Sequence, residues 1–322
     1  MSDQTTVPNT QMLSVRPPVN DTLLRRALRS PSLMIGLVWL ALIAAVAFVL
    51  PPVLGLDPYA VEPTNRLEGP SAAHWFGTDT YGRDLFARIL SGASTSITVG
   101  FVVALISAVL GAAIGVLAAF SPVLDQILMR ICDGLMAIPA ILLAVALTAA
   151  LGPNVGNLII ALSVVYTPGL ARLVRSKAMA IKSETFVEAS RVQGAKPIHI
   201  MVKHILPNTL SVLFVQSTFT FAESVITEAA LSFLGAGVPA PQASWGNILN
   251  DGKSVIMQAP HMVIFTSLFL VLTVLALNLV GDGLRDLVDQ RSQPQPKQPG
   301  LFSRMFGFGT ARFQPTTKGT KR

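Results

Sequence analysis

Four stretches of this chain contain no charged residue: Ser32 to Leu56, Gly92 to Leu124, Gly134 to Ala171 and Ser254 to Gly281. A helix that crosses a bilayer needs about 20 mostly apolar residues, because only a closed backbone hydrogen-bond system survives in hydrocarbon. Only 13% of all residues are charged, where a soluble domain carries roughly 25%. The chain therefore reads as an all-α polytopic membrane protein.

Lengths set the number of spans. Ser32–Leu56 holds one helix, with Pro51 and Pro52 marking its far end, and Gly92–Leu124 holds a second. Gly134–Ala171 would extend about 57 Å as one helix, nearly twice the hydrocarbon thickness. It contains the turn-forming run Gly152-Pro153-Asn154 with Gly156 and Asn157, so it divides into two spans, the second passing Arg172. Asn208 to Leu234 gives a fifth span despite Glu223 and Glu228, and His261–Gly281 gives a sixth. Pro139 and Thr167-Pro168-Gly169 are expected to kink the third and fourth. Asp133 is placed at the headgroups, at the inner edge of the third span. The short Ser121–Asp133 stretch reads as a loop.

Lys and Arg orient the spans, since they accumulate on the cytoplasmic side. Arg16, Arg25, Arg26 and Arg29 precede the first span. Arg172, Arg175, Lys177, Lys182, Arg191, Lys196 and Lys203 lie between the fourth and fifth, and the tail after Gly281 is basic as well. The loop after the first span is acid-rich, with Asp57, Glu62, Glu68, Asp79 and Asp84. Six spans with both termini in the cytoplasm satisfy these biases. The division is a tail over 1–30, a first helix over 31–56, an outer loop over 57–91, a five-helix core over 92–283 enclosing a cytoplasmic segment over 172–207, and a tail over 284–322. Both tails are expected to lack fixed structure for most of their length, apart from a short basic surface helix over Thr22–Ser30. The first apolar run lacks a small-residue cleavage site and is expected to stay in the mature chain.

The net charge of +7 is thus a topology signal. Nucleic-acid binding would gather the basic residues on one soluble module, and here they are dispersed. Cys132 is the single cysteine, and His74, His199, His204 and His261 have no ligand spacing. No disulfide framework, metal site, cofactor or catalytic group is expected. No phosphate-binding Gly-x-x-x-x-Gly-Lys-Ser/Thr loop occurs. Gly111 and Gly115 suit close helix packing, either within the chain or toward another subunit. Glu223 and Glu228 are costly in a membrane and therefore candidates for function. Five residues separate them, which is about 140° around a helix, so they make a poor paired site and suit a structural role at the helix end or an interface, ahead of lining a pathway. Asp79, Arg83 and Asp84 suit either contacts to an outer partner or an ion-pair network fixing the start of the second span.

The cytoplasmic segment is patterned. Thr185 and Glu188 have capping-box spacing, Phe186–Gln193 makes about two turns, and Gly194 stands at the expected stop. Pro197 suits the first turn of a second helix running to Pro207. A surface loop binding anionic lipid headgroups would have a similar composition. The spacing is more specific: Glu188-Ala189-Ser190, three residues, Gly194-Ala195, then His204-Ile205-Leu206-Pro207 nine residues beyond the glycine. This resembles the EAA motif of ATP-binding-cassette (ABC) importer permeases, with Ser190 for an Ala and His204 for an Ile. His74-Trp75-Phe76-Gly77-Thr78-Asp79 with Gly82-Arg83-Asp84 is similar to a signature of the dipeptide/oligopeptide branch. Glu228–Gly235, Ser244-Trp245-Gly246 and Gly281–Asp286 are similar to further segments of it, and the N-terminal helix resembles that of its C-type subunit. The resemblance spans roughly residues 20–291.

It implies a type I importer fold in the cytoplasmic (inner) membrane of a prokaryote. The implied partners are a different, B-type permease subunit, two ATP-binding subunits, an extracytoplasmic substrate-binding protein and membrane lipid. Glu188, Ala189, Ser190, Gly194, Ala195 and Pro207 would belong to the coupling element inserted in an ATPase groove. A self-contained proton-coupled carrier using Glu223 and Glu228, and a lipid-binding scaffold without transport, are the competing readings. Glu228 matches a family position near the outer face, where water reaches it. The solute stays open: di- or oligopeptides, nickel or glutathione.

Overall fold

The computed structural model describes residue 28 and residues 30–289. The expected surface helix over Thr22–Ser30 lies almost wholly outside them, as does the C-terminal tail from residue 290. The described residues are helical apart from turns, loops and one isolated bridge, Thr78 to Asp84. In chain order the helices are α1 (Pro31–Leu54), a 3-10 turn (Pro63–Asn65), α2 (Leu85–Phe120), α3 (Pro122–Met136), α4 (Ala140–Leu151), α5 (Val155–Lys182), α6 (Thr185–Val192) and α7 (Pro197–Ile200). A π-turn (Met201–Ile205) leads into α8 (Leu206–Phe233), followed by α9 (Trp245–Lys253) and α10 (Pro260–Asp289).

Five segments are long and apolar enough to cross a membrane: α1, α2, α5, the continuous run Pro197–Phe233, and α10. Four of them grow from the charge-free runs, while Pro197–Phe233 carries Lys203, Glu223 and Glu228, and caps are placed by the chain. Asp84 accepts from Ala87 N (2.8 Å) to start α2, and Asn154 accepts from Gly156 N (2.7 Å) to start α5. α10 runs on to Asp289, so the tail boundary drawn at 284 falls inside a helix. α5 continues through Pro168 without interruption.

The third span differs from expectation. The stretch Ser121–Asp133 is no loop. It forms α3, which begins with Pro122 behind the Ser121 cap and ends at Met136. The axis then turns by 94° before α4. Pro139 sits at this break as the residue before α4, where its missing N–H and fixed φ favour a new helix start over a mild kink. The pair α3–α4 therefore makes the sixth crossing as a broken span that starts about twelve residues earlier than the charge-free run. Asp125 and Asp133 had argued against this because charges rarely enter a span. They enter it paired: the Arg175 guanidinium holds Asp125 (Nη2 to Oδ2, 2.6 Å), and Arg172 holds Asp133. Asp133 is thus an interhelical partner near the break and not, as expected, a residue at the inner edge of the span.

α2 and α5 form the centre of the bundle and run in the same direction. Ser107 faces Ser163, and Lys182 Nζ reaches the Ala119 carbonyl (2.8 Å) at their shared lower end. Gly111 and Gly115 make this contact possible. A Cβ on Gly111 would lie 2.7 Å from Leu170 Cβ, and one on Gly115 would lie 2.6 Å from the Ala171 carbonyl oxygen. The small-residue stripe serves packing inside the chain. α10 packs along α1 and α8, and Ile43, Leu85, Ile89, Trp245 and Met262 share one apolar core at the outer end. A second core, with Leu170, Val174, Val187, Ile200 and Ile205, sits at the end assigned to the cytoplasm.

Candidate functional site

The cytoplasmic segment folds as a helix, a tight corner and a returning helix. α6 is amphipathic: Val187 is fully buried against the second core, while Phe186, Glu188, Ala189 and Val192 are exposed. The expected capping box is absent. Thr185 is already the first helical residue and Glu184 stands before it in extended conformation without a side-chain cap. Glu188 instead lies in the first turn, where a carboxylate meets the positive end of the helix dipole. The stop is as expected. Gly194 has φ +83°, its N–H donates to the Arg191 carbonyl (3.0 Å), and the Ala195 N–H donates to that of Ser190 (3.1 Å). These two bonds are the Schellman pattern, which demands a left-handed residue at the corner. Open space surrounds the position where a Gly194 side chain would project.

Pro197 opens α7, as its ring geometry favours. Pro207 does not end the returning helix. The chain widens into the π-turn Met201–Ile205, where the Leu206 N–H bonds back to Met201, and Pro207 falls in the first turn of α8. Widening by one residue relieves the clash that proline imposes on the preceding turn. Asn208 Nδ2 donates to the His204 carbonyl (2.6 Å) there. Ser190 and His204, the two departures from the motif, meet across the corner. His204 Nε2 lies 3.4 Å from Ser190 Oγ, which itself donates to the Phe186 carbonyl (2.9 Å). The His204 ring also packs near Phe186 and His199, with centroids 6.0 Å away in each case.

At the opposite end, the His74–Asp84 segment closes on itself. Asp79 is buried. Its Oδ1 accepts from Tyr81 N (2.8 Å) and Arg83 N (3.0 Å), and its Oδ2 from Arg83 Nε (2.6 Å). Arg88 Nε stands 3.3 Å from the same oxygen. Gly82 turns the chain with φ +80° and donates to the Asp79 carbonyl (3.0 Å). Asp84 caps α2 with one oxygen and pairs with His74 Nδ1 through the other (2.8 Å). Buried Thr78 accepts from Glu68 N (2.9 Å) and donates to the Asn65 carbonyl, while Gly77 O accepts from Leu85 N (3.0 Å). His261 Nε2, at the start of α10, reaches the Thr78 carbonyl (3.2 Å). The segment is thus tied internally, to α2 and to α10. Arg83 also approaches Asp251 on α9 (3.7 Å). Burial pushes the Asp251 carboxyl up, and the charges of Arg88 and Arg83 oppose that only in part.

Glu223 and Glu228 face different surroundings, as their spacing requires. Glu228 is fully buried, which corrects the expectation that water reaches it. Ser96 Oγ on α2 donates to its Oε2 (2.6 Å) and Ser232 Oγ to its Oε1 (2.7 Å), while Val238 N donates to Ser232 Oγ (3.0 Å). Next to this cluster Ser244 and Asn247 cap α9 reciprocally, and Trp245 Nε1 donates to the Ile89 carbonyl (3.2 Å). The carboxyl joins α2, α8 and the link to α9. Ser96 is 132 residues away, and no local pattern announces it. Glu223 is exposed and borders the α3–α4 elbow with Tyr166, Gln216 and Thr220. Sequence reasoning passed over these three because isolated polar residues in a span look like packing. Among the described residues, no three His, Cys, Asp or Glu side chains gather as metal ligands.

The family model for the binding-protein-dependent transport system inner membrane component matches residues 111–293, more than half of the chain. The chain belongs to this family. It is a multi-pass inner membrane protein and a permease subunit of an ABC importer. This permease is 45% identical over 267 residues to a Brucella suis protein named as a peptide transport system permease, covering 83% of this chain and 90% of that one. It is 42% identical to a dipeptide transport system permease protein of Alkalihalophilus pseudofirmus (80% and 85% covered). A glutathione transport system permease protein of Pectobacterium atrosepticum is 40% identical (89% and 95%). Among solved structures, a chain of the MetNI methionine ABC transporter in an inward-facing conformation matches with a TM-score of 0.53 at 25% identity. That match covers 63% of this chain and 96% of that one.

Proposed function

We propose that this permease is the C-type half of a peptide importer and that α6 with its glycine corner is the element through which ATP hydrolysis moves it. One observation carries the reading. α6 is fixed from beneath by Val187 in the second core, yet holds apolar residues outward, with Val192 89% exposed and Phe186 also uncovered, and Ile198 on the adjoining α7 is exposed as well. Exposed apolar side chains on a rigid, basic-side helix suit insertion into a protein groove.

Glu188, Ala189, Ser190, Gly194 and Ala195 form the corner that an ATP-binding subunit would grip, and Pro207 belongs to the helix that carries its displacement into the bilayer. The full assembly would contain a second permease of the B type, two ATP-binding subunits and an extracytoplasmic substrate-binding protein, with hydrolysis confined to the ATPases. Peptides are the favoured solute because relatives named for peptide and dipeptide transport align over most of the chain. The outer His74–Asp84 segment would then brace α2 against α10 while presenting Trp75 and Tyr81 outward. A paired-carboxylate proton carrier is disfavoured, since Glu228 is sealed by serines and Glu223 faces away from it.

The test is a mild-detergent pull-down of the full chain from its own membranes, followed by mass spectrometry. A second six-span permease and two ATPases should co-purify and be lost on Glu188→Lys. A stable homodimer or monomer free of ATPase would refute the coupling role.

A further inference from the structure

The cavity at the α3–α4 elbow has a volume of about 280 Å³, and Glu223 is the one charged residue lining it. Gln216, Thr220 and Glu223 share one stripe of α8, at positions i, i+4 and i+7. Glu223 lies ten residues below the outer end of α8, or about 15 Å, which puts it near mid-membrane depth. Among the described residues no cation pairs with it, and Glu223 itself is exposed in the single chain, with Gln216 half-buried and Thr220 buried between them.

Hydrocarbon is a poor environment for such a carboxylate. A water-filled route between two permease halves is a good one. The opposite wall is the elbow itself, where α3 ends at Met136 and α4 begins at Ala140 on the same cavity. A negative and a positive helix end there offset each other and leave Glu223 as the charge of the space. Broken helices whose ends meet a site at membrane depth are a recurrent way to bind ions and charged groups. Tyr166 adds an aromatic face. Its hydroxyl donates to the Glu223 backbone carbonyl (3.2 Å) and lies 2.6 Å from Thr227 Oγ1, which ties the ring to α8 on the wall of the same cavity. A carboxylate and an aromatic ring together favour a cation.

We infer that Glu223, Gln216 and Tyr166 form a station on the translocation route that holds an alkylammonium group, the protonated amino terminus of a passing peptide. The inference rests on the permease reading above and deepens it by naming the charge that the route selects. Glu223 supplies the charge, Gln216 a hydrogen-bonding side chain two turns below it, and Tyr166 the wall.

The experiment uses the assembled transporter with Cys132→Ala, which removes the single native cysteine, and Gln216→Cys as the reporter. A cationic methanethiosulfonate should label this cysteine about tenfold faster than an anionic one, and Glu223→Gln should abolish the preference. A dipeptide with a free amino terminus should slow labelling, and its N-acetylated form should not. An N-acetylated lysine amide separates side-chain ammonium from the amino terminus and should protect less than the free dipeptide. In uptake, Glu223→Gln should lower the maximal rate about tenfold with the half-saturating concentration unchanged, and Glu223→Asp should restore part of it.

Absence of labelling by either reagent would overturn the proposal by placing this face against lipid or a partner. So would a preference that survives Glu223→Gln, or equal protection by the acetylated dipeptide. A wild-type complex that takes up no peptide, yet labels with the Glu223-dependent preference, would refute the peptide reading and leave the cation station standing.

Discussion

Replacing Gly194 separates two reasons why the corner needs glycine. Its φ of +83° is a left-handed conformation, and the position of a Cβ there is open. Gly194→Ala therefore carries a backbone penalty and no steric one within the chain, about 1–2 kcal/mol. Such a penalty lowers the population of the closed corner by roughly 5- to 30-fold. Amide hydrogen exchange reads it directly, because the Gly194 and Ala195 N–H groups donate to Arg191 and Ser190. Both amides should exchange faster by that factor in Gly194→Ala, while amides in α8 stay unchanged. Asn tolerates the left-handed region better than Ala, so Gly194→Asn should exchange more slowly than Gly194→Ala. Uptake in proteoliposomes should follow the same order if the backbone alone matters. Gly194→Asp should abolish uptake with the corner still formed, because its charge would meet the ATPase groove and nothing inside the chain. Unchanged exchange in Gly194→Ala would refute the strain argument. Normal uptake by Gly194→Asp would remove the corner from the docking face.

Further outcomes follow from other contacts. Gly115→Val should force α2 from α5, since even a Cβ there lies 2.6 Å from the Ala171 carbonyl oxygen. The destabilisation should be about 1–3 kcal/mol or more, read as a lowered melting temperature in detergent. Asp79→Asn leaves Arg83 and Arg88 short of their shared counter-charge, at about 3–5 kcal/mol; a melting temperature within a degree of wild type would contradict the buried network. Burial raises the Asp251 carboxyl, so the folded chain holds that proton more tightly than the unfolded one. This group's contribution to stability falls as pH rises from about 4, and Asp251→Asn should flatten that part of the melting profile. Ser190→Ala and His204→Ile should couple in a double-mutant cycle by about 0.5–1.5 kcal/mol; strict additivity would mean that the 3.4 Å contact contributes nothing.

The spans were legible wherever a charge-free run met a capping residue, as at Asp84 and Asn154. The third crossing was not, because its acids are neutralised by Arg172 and Arg175, 39 and 50 residues later in the chain. Hydropathy counts charges one at a time and cannot register a pair. The corner was read correctly from Gly194 and Pro197, both of which act locally. The capping box was misread by one position, since Thr185 enters the helix and leaves the boundary to Glu184. Glu228 shows the other limit: spacing placed it away from Glu223 and Ser232 lies one turn along the same helix, but the Ser96 hydroxyl that completes its burial comes from tertiary structure. The same holds for His261 at the Thr78 carbonyl. Tyr166, Gln216 and Thr220 acquire meaning only beside the elbow that no local signal of full strength announced.

The run Pro197–Phe233 is helical without a gap across 37 residues, although two prolines and a π-turn lie in its lower part. Glu223 stands 26 residues above its foot, about 39 Å along the axis. Leverage at that ratio turns small angles into molecular distances: a tilt of about 5° at the corner sweeps Glu223 sideways by roughly 3 Å, the width of a water molecule. A gate of this kind needs no hinge near the solute. It needs only a stiff arm and a foot that something else can push.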